Sequence, residues 1–314
     1  MTDIQQKNTL TKSWVVCLLA MVCCLLWGSA FPCIKIGYRL FSIPADSTGS
    51  QILFAGYRFT LAGILALLIG SFLNRRFLIP KRTSWGMVIR LGLVQTVLQY
   101  LLFYIGLANT TGVKSSIIEA SNVFLAILCA CLITRTEKLN ASKISGCVLG
   151  FAGVVLINLN GSGFEGGLRL SGEGAIFGSA AAYAVSSVMI KSYSLRENQV
   201  TLSGWQFLFG GLVLIVAGLG MGGEITGFTP ASTSLLLYLS LVSAVAYSLW
   251  GTLLKYNPVA KVSVYGFMNP VCGVLLSALF LGESSQAFGP AGFIALLLVC
   301  AGIYIVNRSN TPAL

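Results

Sequence analysis

The stretches KSSIIEASN (Lys114–Asn122) and KVSVYGFMN (Lys261–Asn269) each carry a lysine and an asparagine eight residues apart, on apolar segments in different halves of the chain. Five apolar segments separate each element from its copy. Because five is an odd number, the two copies are predicted to cross a membrane in opposite directions. An inverted repeat of this kind is typical of secondary transporters, whose substrate sites lie where the copies face each other.

The composition places the chain in a membrane. Hydrophobic residues make up 56% of its 314 residues and charged residues 9%, which leaves too little polar surface to cover a water-soluble globule. Apolar stretches long enough to span a bilayer recur at 14–38, 52–73, 85–108, 113–134, 142–158, 174–192, 201–222, 233–254, 259–281 and 288–306. The sequence therefore predicts an all-α integral membrane protein of ten transmembrane helices, with one five-helix repeat in 1–158 and an inverted one in 172–308.

The positive charges indicate the orientation. Most Lys and Arg residues fall in the loops that share a side with the N-terminus, which predicts a multi-pass protein of the cell membrane, a bacterial inner membrane, with both termini cytoplasmic. The net charge of +11 is thus explained by topology. Since the cations are dispersed between apolar spans and form no single patch, we expect no nucleic-acid partner.

The correspondence between the halves extends to individual residues. In the second span, Ala55-Gly56-Tyr57-Arg58-Phe59 corresponds to Ser203-Gly204-Trp205-Gln206-Phe207 in the seventh, and Gly63 to Gly211. The same register relates four further sets, Trp27 to Tyr183, Lys35 to Lys191, Tyr100 to Tyr247, and Ala152-Gly153 to Ala301-Gly302.

A known family shows the same landmarks. Leu26-Trp27-Gly28-Ser29-Ala30-Phe31, followed by Lys35, resembles the first helix of EamA-type members of the drug/metabolite transporter superfamily, and the likeness covers nearly the whole chain. Other similar features are Arg58, the region from Glu119 to Ala126, Glu137, Glu283 and the two Ala-Gly pairs. The resemblance implies two inverted five-helix bundles around a central cavity, and export or exchange of small metabolites, such as amino acids, or of toxic organic compounds. It does not name a substrate.

Polar and aromatic residues near the middle of the spans are the candidate substrate site. Asn122 and Asn269 each lie eight residues in from a lysine, which is about 12 Å from opposite faces. The predicted substrate-binding residues are Trp27, Gln95, Gln99, Asn122, Tyr183, Gln206, Tyr247 and Asn269. The alternative is that these side chains only join helices through hydrogen bonds and packing.

Arg58 and Glu119 are the charged residues that lie clearly within predicted spans, away from their ends. Each costs several kcal/mol in lipid unless it is paired or hydrated, and both lie at a similar depth, so we expect them to meet. Their predicted role is gating or ion coupling, and the alternative is a structural ion pair. The second copy has Gln206 and Gly266 at these positions, which makes the charge one-sided.

Three functional classes remain: a carrier, a membrane-embedded lipid or isoprenoid transferase, and a channel-like pore. The chain contains no His and only two aspartates, both outside the spans, so we predict no catalytic residue, no metal site and no cofactor. It has no Walker-type loop, which favours a carrier driven by a solute or ion gradient. The expected partners are a small-molecule substrate and the lipid bilayer, and the sequence leaves a homodimer open.

Overall fold

The computed structural model describes residues 8–44, 46–109, 115, 118–159, 169–281 and 290–309. Regular structure in these residues is helical, and we number its continuous helical segments in chain order. They are α1 (Ser13–Leu40), α2 (Thr48–Leu73), α3 (Arg82–Leu107), α4 (Ser121–Ile133), α5 (Ala141–Leu159), α6 (Leu170–Tyr193), α7 (Gln199–Gly220), α8 (Pro230–Tyr256), α9 (259–281) and α10 (Pro290–Ser309).

Six of these helices, α1, α2, α3, α6, α7 and α8, are long and apolar enough to cross a membrane. Shorter apolar helices occupy Ser121–Ile133, Ala141–Leu156 and Phe293–Arg308. The helical form follows from the solvent, because a backbone in lipid must satisfy its N–H and C=O groups within the segment. Helices α2 and α6 each begin four residues before the predicted apolar stretch. Lys114 and Glu283 lie outside the described residues.

Local sequence sets several helix starts. The Asn198 side chain accepts hydrogen bonds from the backbone N–H groups of Val200 and Thr201, which caps α7. Thr229 and Ser232 bond reciprocally at the start of α8, with Pro230 in the first turn. Both devices satisfy N–H groups that the helix itself leaves without partners.

Two helices change their winding near the middle. Helix α3 is π-helical over Gly92–Leu98, directly before Gln99 and Tyr100. Helix α9 tightens into a 3₁₀ turn over Val264–Phe267, and Pro270 lies one turn further on. Because proline has no N–H, the Gly266 carbonyl lacks its usual helical partner, which accounts for the altered winding there.

The helices pack in a regular set of pairs. The most extensive contacts join α2 to α7 and α5 to α10. Helix α1 packs against α8 and α9, while α6 packs against α3 and α4. Helix α2 also contacts α8, and α7 contacts α3.

Glycines allow α2 and α7 to approach closely. A Cβ atom added at Gly56 would lie 3.1 Å from the Gly211 carbonyl oxygen, and one added at Gly63 would lie 2.6 Å from that of Gly204. Residue numbers rise along one helix as they fall along the other, so the pair is antiparallel. Gly211 therefore serves the close packing of the two helices.

Helices α5 and α10 meet in the same manner. An added Cβ at Gly146 would lie 2.7 Å from the Gly302 carbonyl oxygen, and one at Gly153 would lie 2.7 Å from that of Ala295. This pair is antiparallel as well. Small residues at both crossings let the backbones touch, which is how helices associate in lipid without a hydrophobic driving force.

Glu197 ties together the loops that precede α3 and α7. Its carboxylate accepts hydrogen bonds from the backbone N–H groups of Lys81 and Asn198, at 2.9 and 3.0 Å. Burial acts to raise the pKa of the Glu197 carboxyl, but these hydrogen bonds outweigh it and hold the pKa below its ordinary value. The contact therefore strengthens as the carboxyl ionises and weakens as the pH falls through its lowered pKa.

The glycine contacts predict the effect of a single methyl group. Gly63→Ala places a Cβ 2.5 Å from the Leu208 backbone nitrogen, so we expect a loss of about 1–3 kcal/mol in stability. Thermal unfolding of the purified protein in detergent measures it. Gly220→Ala is the control, because nothing lies within 4 Å of its added Cβ. Equal melting temperatures for the two variants would show that the helices are not in close contact at Gly63.

Candidate functional site

An aromatic cluster lies where α2, α3, α7 and α8 meet. The hydroxyl groups of Tyr100 and Tyr247 are hydrogen-bonded at 2.8 Å. The rings of Phe59 and Phe207 are 5.3 Å apart between centroids. Phe59 contacts Tyr100 at 4.4 Å, and Phe207 contacts Tyr247 at 4.9 Å. We call these four residues the aromatic cluster. Each of them contacts two of the others, so the four contacts form a closed circuit.

Trp27 and Tyr183 extend the cluster on two sides. The Trp27 ring packs edge-on against Tyr247, at 5.1 Å between centroids, and its indole N–H is buried without a hydrogen-bond partner. The Tyr183 hydroxyl lies close enough to Tyr100 and Glu119 for electrostatic interaction. Of the predicted substrate-binding residues, Tyr247 therefore belongs to the aromatic cluster, Trp27 contacts it, and Tyr183 lies within electrostatic range of it.

Arg58 is buried beside this core. Its Nε donates a hydrogen bond to the Ser243 hydroxyl at 3.1 Å, and its guanidinium carbon lies 5.2 Å from the centre of the Phe59 ring. It lies within electrostatic reach of the hydroxyl groups of Tyr38, Tyr100, Tyr104 and Tyr247. The Ser243 hydroxyl and the face of the Phe59 ring thus offer the buried guanidinium polar and cation–π contacts in place of water.

Glu119 lies on the residues that lead into α4. Its polar neighbours are the Asn122 amide and the Ser179 hydroxyl, and its Oε2 atom is buried without a hydrogen-bond partner. The expected ion pair between Glu119 and Arg58 is not formed in the described residues. Arg58 bonds to Ser243 instead. Equal depth fixed their level in the membrane but not the rotation of α2, which directs Arg58 towards α8.

Gln95 and Gln206 bond to each other, which is the alternative role that the sequence leaves open for the predicted site residues. The Gln206 amide donates to Gln95 at 3.1 Å and accepts a hydrogen bond from Thr96 at 2.7 Å, while Gln95 donates to Ser186. Gln206 and Thr96 are fully buried. In this conformation the network satisfies its own donors and acceptors, which favours the packing interpretation for this pair.

Other predicted residues keep unused hydrogen-bonding atoms. The side-chain oxygens of Gln99 and Asn269 are buried without partners, as is that of Ser115, one helical turn before Glu119. Asn122 adjoins Glu119. Unsatisfied buried oxygens are rare in folded proteins and point to a missing donor.

A second cluster of polar contacts lies at the end of the helices where the N-terminal residues are found. The Glu137 carboxylate accepts hydrogen bonds from the backbone N–H groups of Val259 and Ala260 at the start of α9, and pairs with Lys143 at 2.9 Å. The Asn257 amide donates to the Leu10 carbonyl at 2.9 Å. A carboxylate at a helix N-terminus complements the helix dipole, so the cluster holds α4, α5 and α9 together.

Glu137 is a family landmark in the sequence, and no role in the site was predicted for it. Its spacing of six residues from Lys143 was the available signal, because oppositely charged residues in one short loop can pair. The partners on α9 could not be read from the sequence, since more than 120 residues separate them.

The Glu137–Lys143 pair predicts a non-additive stability effect. Both side chains are buried, so Glu137→Gln leaves a buried lysine charge without a partner and should cost about 3–5 kcal/mol. Glu137→Gln combined with Lys143→Met should recover most of that loss. Thermal unfolding in detergent tests this, with Lys138→Met, an exposed lysine of the same loop, as the control. A double variant as unstable as Glu137→Gln alone would contradict the buried pair.

Comparisons with known proteins give a consistent result. The EamA-like transporter family matches residues 14–159 and 170–308. The chain is 28% identical to an uncharacterized transporter of Bacillus subtilis, YvbV, over 96% of this chain and 94% of that protein. It is 26% identical to a probable amino-acid metabolite efflux pump of Escherichia coli, with 92% and 93% covered.

A solved crystal structure shares the fold, with a TM-score of 0.73 over 94% of this chain and 97% of that one. The two sequences are 17% identical. At this level of identity the likeness concerns the fold alone.

Proposed function

This chain belongs to the EamA-like transporter family, and we propose that it is a secondary transporter which exports or exchanges small amphipathic metabolites. In this proposal ten helices cross the cell membrane as two inverted repeats, α1–α5 and α6–α10. The solute binds between the repeats, near the aromatic cluster, and alternating access exposes it to either side. The observation that carries the proposal is the meeting of repeat-related residues in that cluster.

The helix pairs support the two repeats. Exchanging α1–α5 with α6–α10 converts the contact of α1 with α8 into that of α6 with α3. It converts α1 with α9 into α6 with α4, and α2 with α8 into α7 with α3. The pairs α2 with α7 and α5 with α10 are converted into themselves and are antiparallel, as an inverted repeat requires.

The side chains follow the same exchange. Tyr100 and Tyr247 correspond in sequence and bond to each other, as do Phe59 and Phe207 through their rings. Residues that are each other's copies can touch only close to the axis that relates the copies. The aromatic cluster is therefore the expected centre of the two-fold arrangement, and substrate sites in such folds lie at the repeat interface.

The polar pairs fit as well. Arg58 bonds to Ser243 on α8, while its counterpart Gln206 bonds to Thr96 on α3. The register that relates Tyr100 to Tyr247 also relates Thr96 to Ser243. The same interaction thus occurs once with a charged residue and once with an amide. Arg58 and Glu119 have uncharged counterparts in the other repeat, and we propose them for gating or ion coupling.

The solute class follows from the chemistry of the site. Aromatic rings from Trp27, Tyr183 and Tyr247 offer apolar surface, and buried oxygens of Gln99 and Asn269 lack partners. This mixture suits a solute with both apolar and polar parts. The name of the Escherichia coli relative, a probable amino-acid metabolite efflux pump, agrees with it. The excess of Lys and Arg on the N-terminal side supports cytoplasmic termini.

The test is transport by the purified protein in liposomes. A screen for resistance to toxic amino-acid analogues and amphipathic drugs in overexpressing cells identifies the solute, whose flux is then measured. A carrier gives flux that saturates with solute concentration, whereas a pore gives flux that rises linearly. Linear flux would contradict the proposal.

The asparagine pair gives a sharper prediction. Asn122→Ala and Asn269→Ala should each lower the saturable flux about tenfold, because each removes one hydrogen-bonding group from the solute site. Membrane insertion should remain normal. Asn109→Ala is the control, since that amide is exposed and bonds to the Ile105 carbonyl of its own helix. Unchanged flux in both variants would remove these residues from the site.

A further inference from the structure

We infer that Glu119 binds a positively charged nitrogen of the solute, so that the preferred solutes carry a protonated amine. This inference rests on the proposed transport function and adds the chemical class of its substrate. It is carried by a buried carboxylate oxygen of Glu119 that no described cation neutralises, together with the unpartnered oxygens and the aromatic rings of the other predicted site residues.

The Glu119 carboxylate has no partner of opposite charge among the described residues. The Oε2 atom of Glu119 is buried and has no hydrogen-bond partner. The Lys and Arg side chains of the described residues form no ion pair with it. Its polar neighbours, the Asn122 amide and the buried Ser179 hydroxyl, are uncharged. A carboxylate in such a place is costly until a cation or a proton neutralises it.

The unpartnered side-chain atoms of the other predicted site amides are hydrogen-bond acceptors. Besides Glu119, the amides of Gln99 and Asn269 each have a buried side-chain atom without a partner, and in both it is the oxygen. Oxygen acceptors require a donor. An ammonium group supplies three N–H donors and a positive charge, whereas an alcohol supplies one donor and a carboxylate none. The Trp27 indole N–H remains for an acceptor elsewhere on the solute.

Aromatic side chains of the predicted site lie near Glu119. Tyr183 and Tyr247 lie within electrostatic range of Glu119, and the Trp27 ring packs edge-on against Tyr247. Rings beside a carboxylate stabilise organic cations, because the face of an aromatic ring carries partial negative charge. Arg58 is engaged with Ser243, so it leaves the carboxylate to the solute.

The sequence repeat indicates the stoichiometry. Gly266 takes the place of Glu119 in the second copy, so the two-fold arrangement supplies one such carboxylate and not two. We therefore expect one positive charge to be recognised per transport cycle.

The experiment compares two probes that differ in a single amino group. L-phenylalaninamide carries an α-amino group that is protonated at pH 6.5, and 3-phenylpropionamide lacks it. Their binding to the purified protein in lipid nanodiscs is measured by calorimetry. The wild-type protein should bind the amine at least about tenfold more tightly, and Glu119→Gln should remove the difference while retaining the binding of the neutral amide.

Glu224→Gln removes an exposed carboxylate outside the helices and should leave the tenfold difference unchanged. Retained binding of the neutral probe by Glu119→Gln shows that the variant is folded. Equal binding of both probes to the wild type, binding of neither, or unchanged selectivity in Glu119→Gln would overturn the ammonium site. The transport function is judged separately, by the saturable flux of the solute that the resistance screen identifies.

Discussion

The hydrogen bond between the Tyr100 and Tyr247 hydroxyl groups is the contact on which the rest of the account depends. It joins two residues that occupy the same place in the two halves of the sequence. In the proposed two-repeat arrangement such a contact lies at the common centre of the two halves. The ring contact of Phe59 with Phe207 joins a second pair of residues that correspond in sequence. The proposed solute site, the one-sided charges and the alternating motion all refer to this centre.

The glycine crossings make this central contact attainable. At Gly63 and Gly204 the backbones of α2 and α7 touch, which brings Phe59 and Phe207 within ring contact. Larger residues at those positions would separate the helices and the rings with them. In lipid, where apolar burial does not drive helix association, such close crossings supply much of the packing energy. The aromatic centre is therefore a consequence of small residues elsewhere on the same helices.

The sequence predicted the parts of the structure that depend on periodic or copied patterns. The long apolar helices could be read from it, because composition and length determine them. The register of the repeat stays a prediction that the helix pairs support. The orientation of Arg58 could not, since burial depth does not specify rotation about a helix axis. Gln95 and Gln206 were assigned to the solute, yet they bond to each other, and only the packing of α3 against α7 reveals that choice. The contact of Glu137 with α9 joins distant parts of the chain, so no local signal could indicate it.

The opposite orientation of the two halves is tested most directly by labelling from one side of the membrane. Ser42 follows α1 and Leu195 follows α6, the copy-related helix, and both residues are exposed. Single cysteines at these positions, in a variant without the nine native cysteines, are treated in intact cells with a membrane-impermeant maleimide. The account predicts that position 42 reacts at once and position 195 only after permeabilisation. Reaction of both from the same side would contradict the inverted repeat.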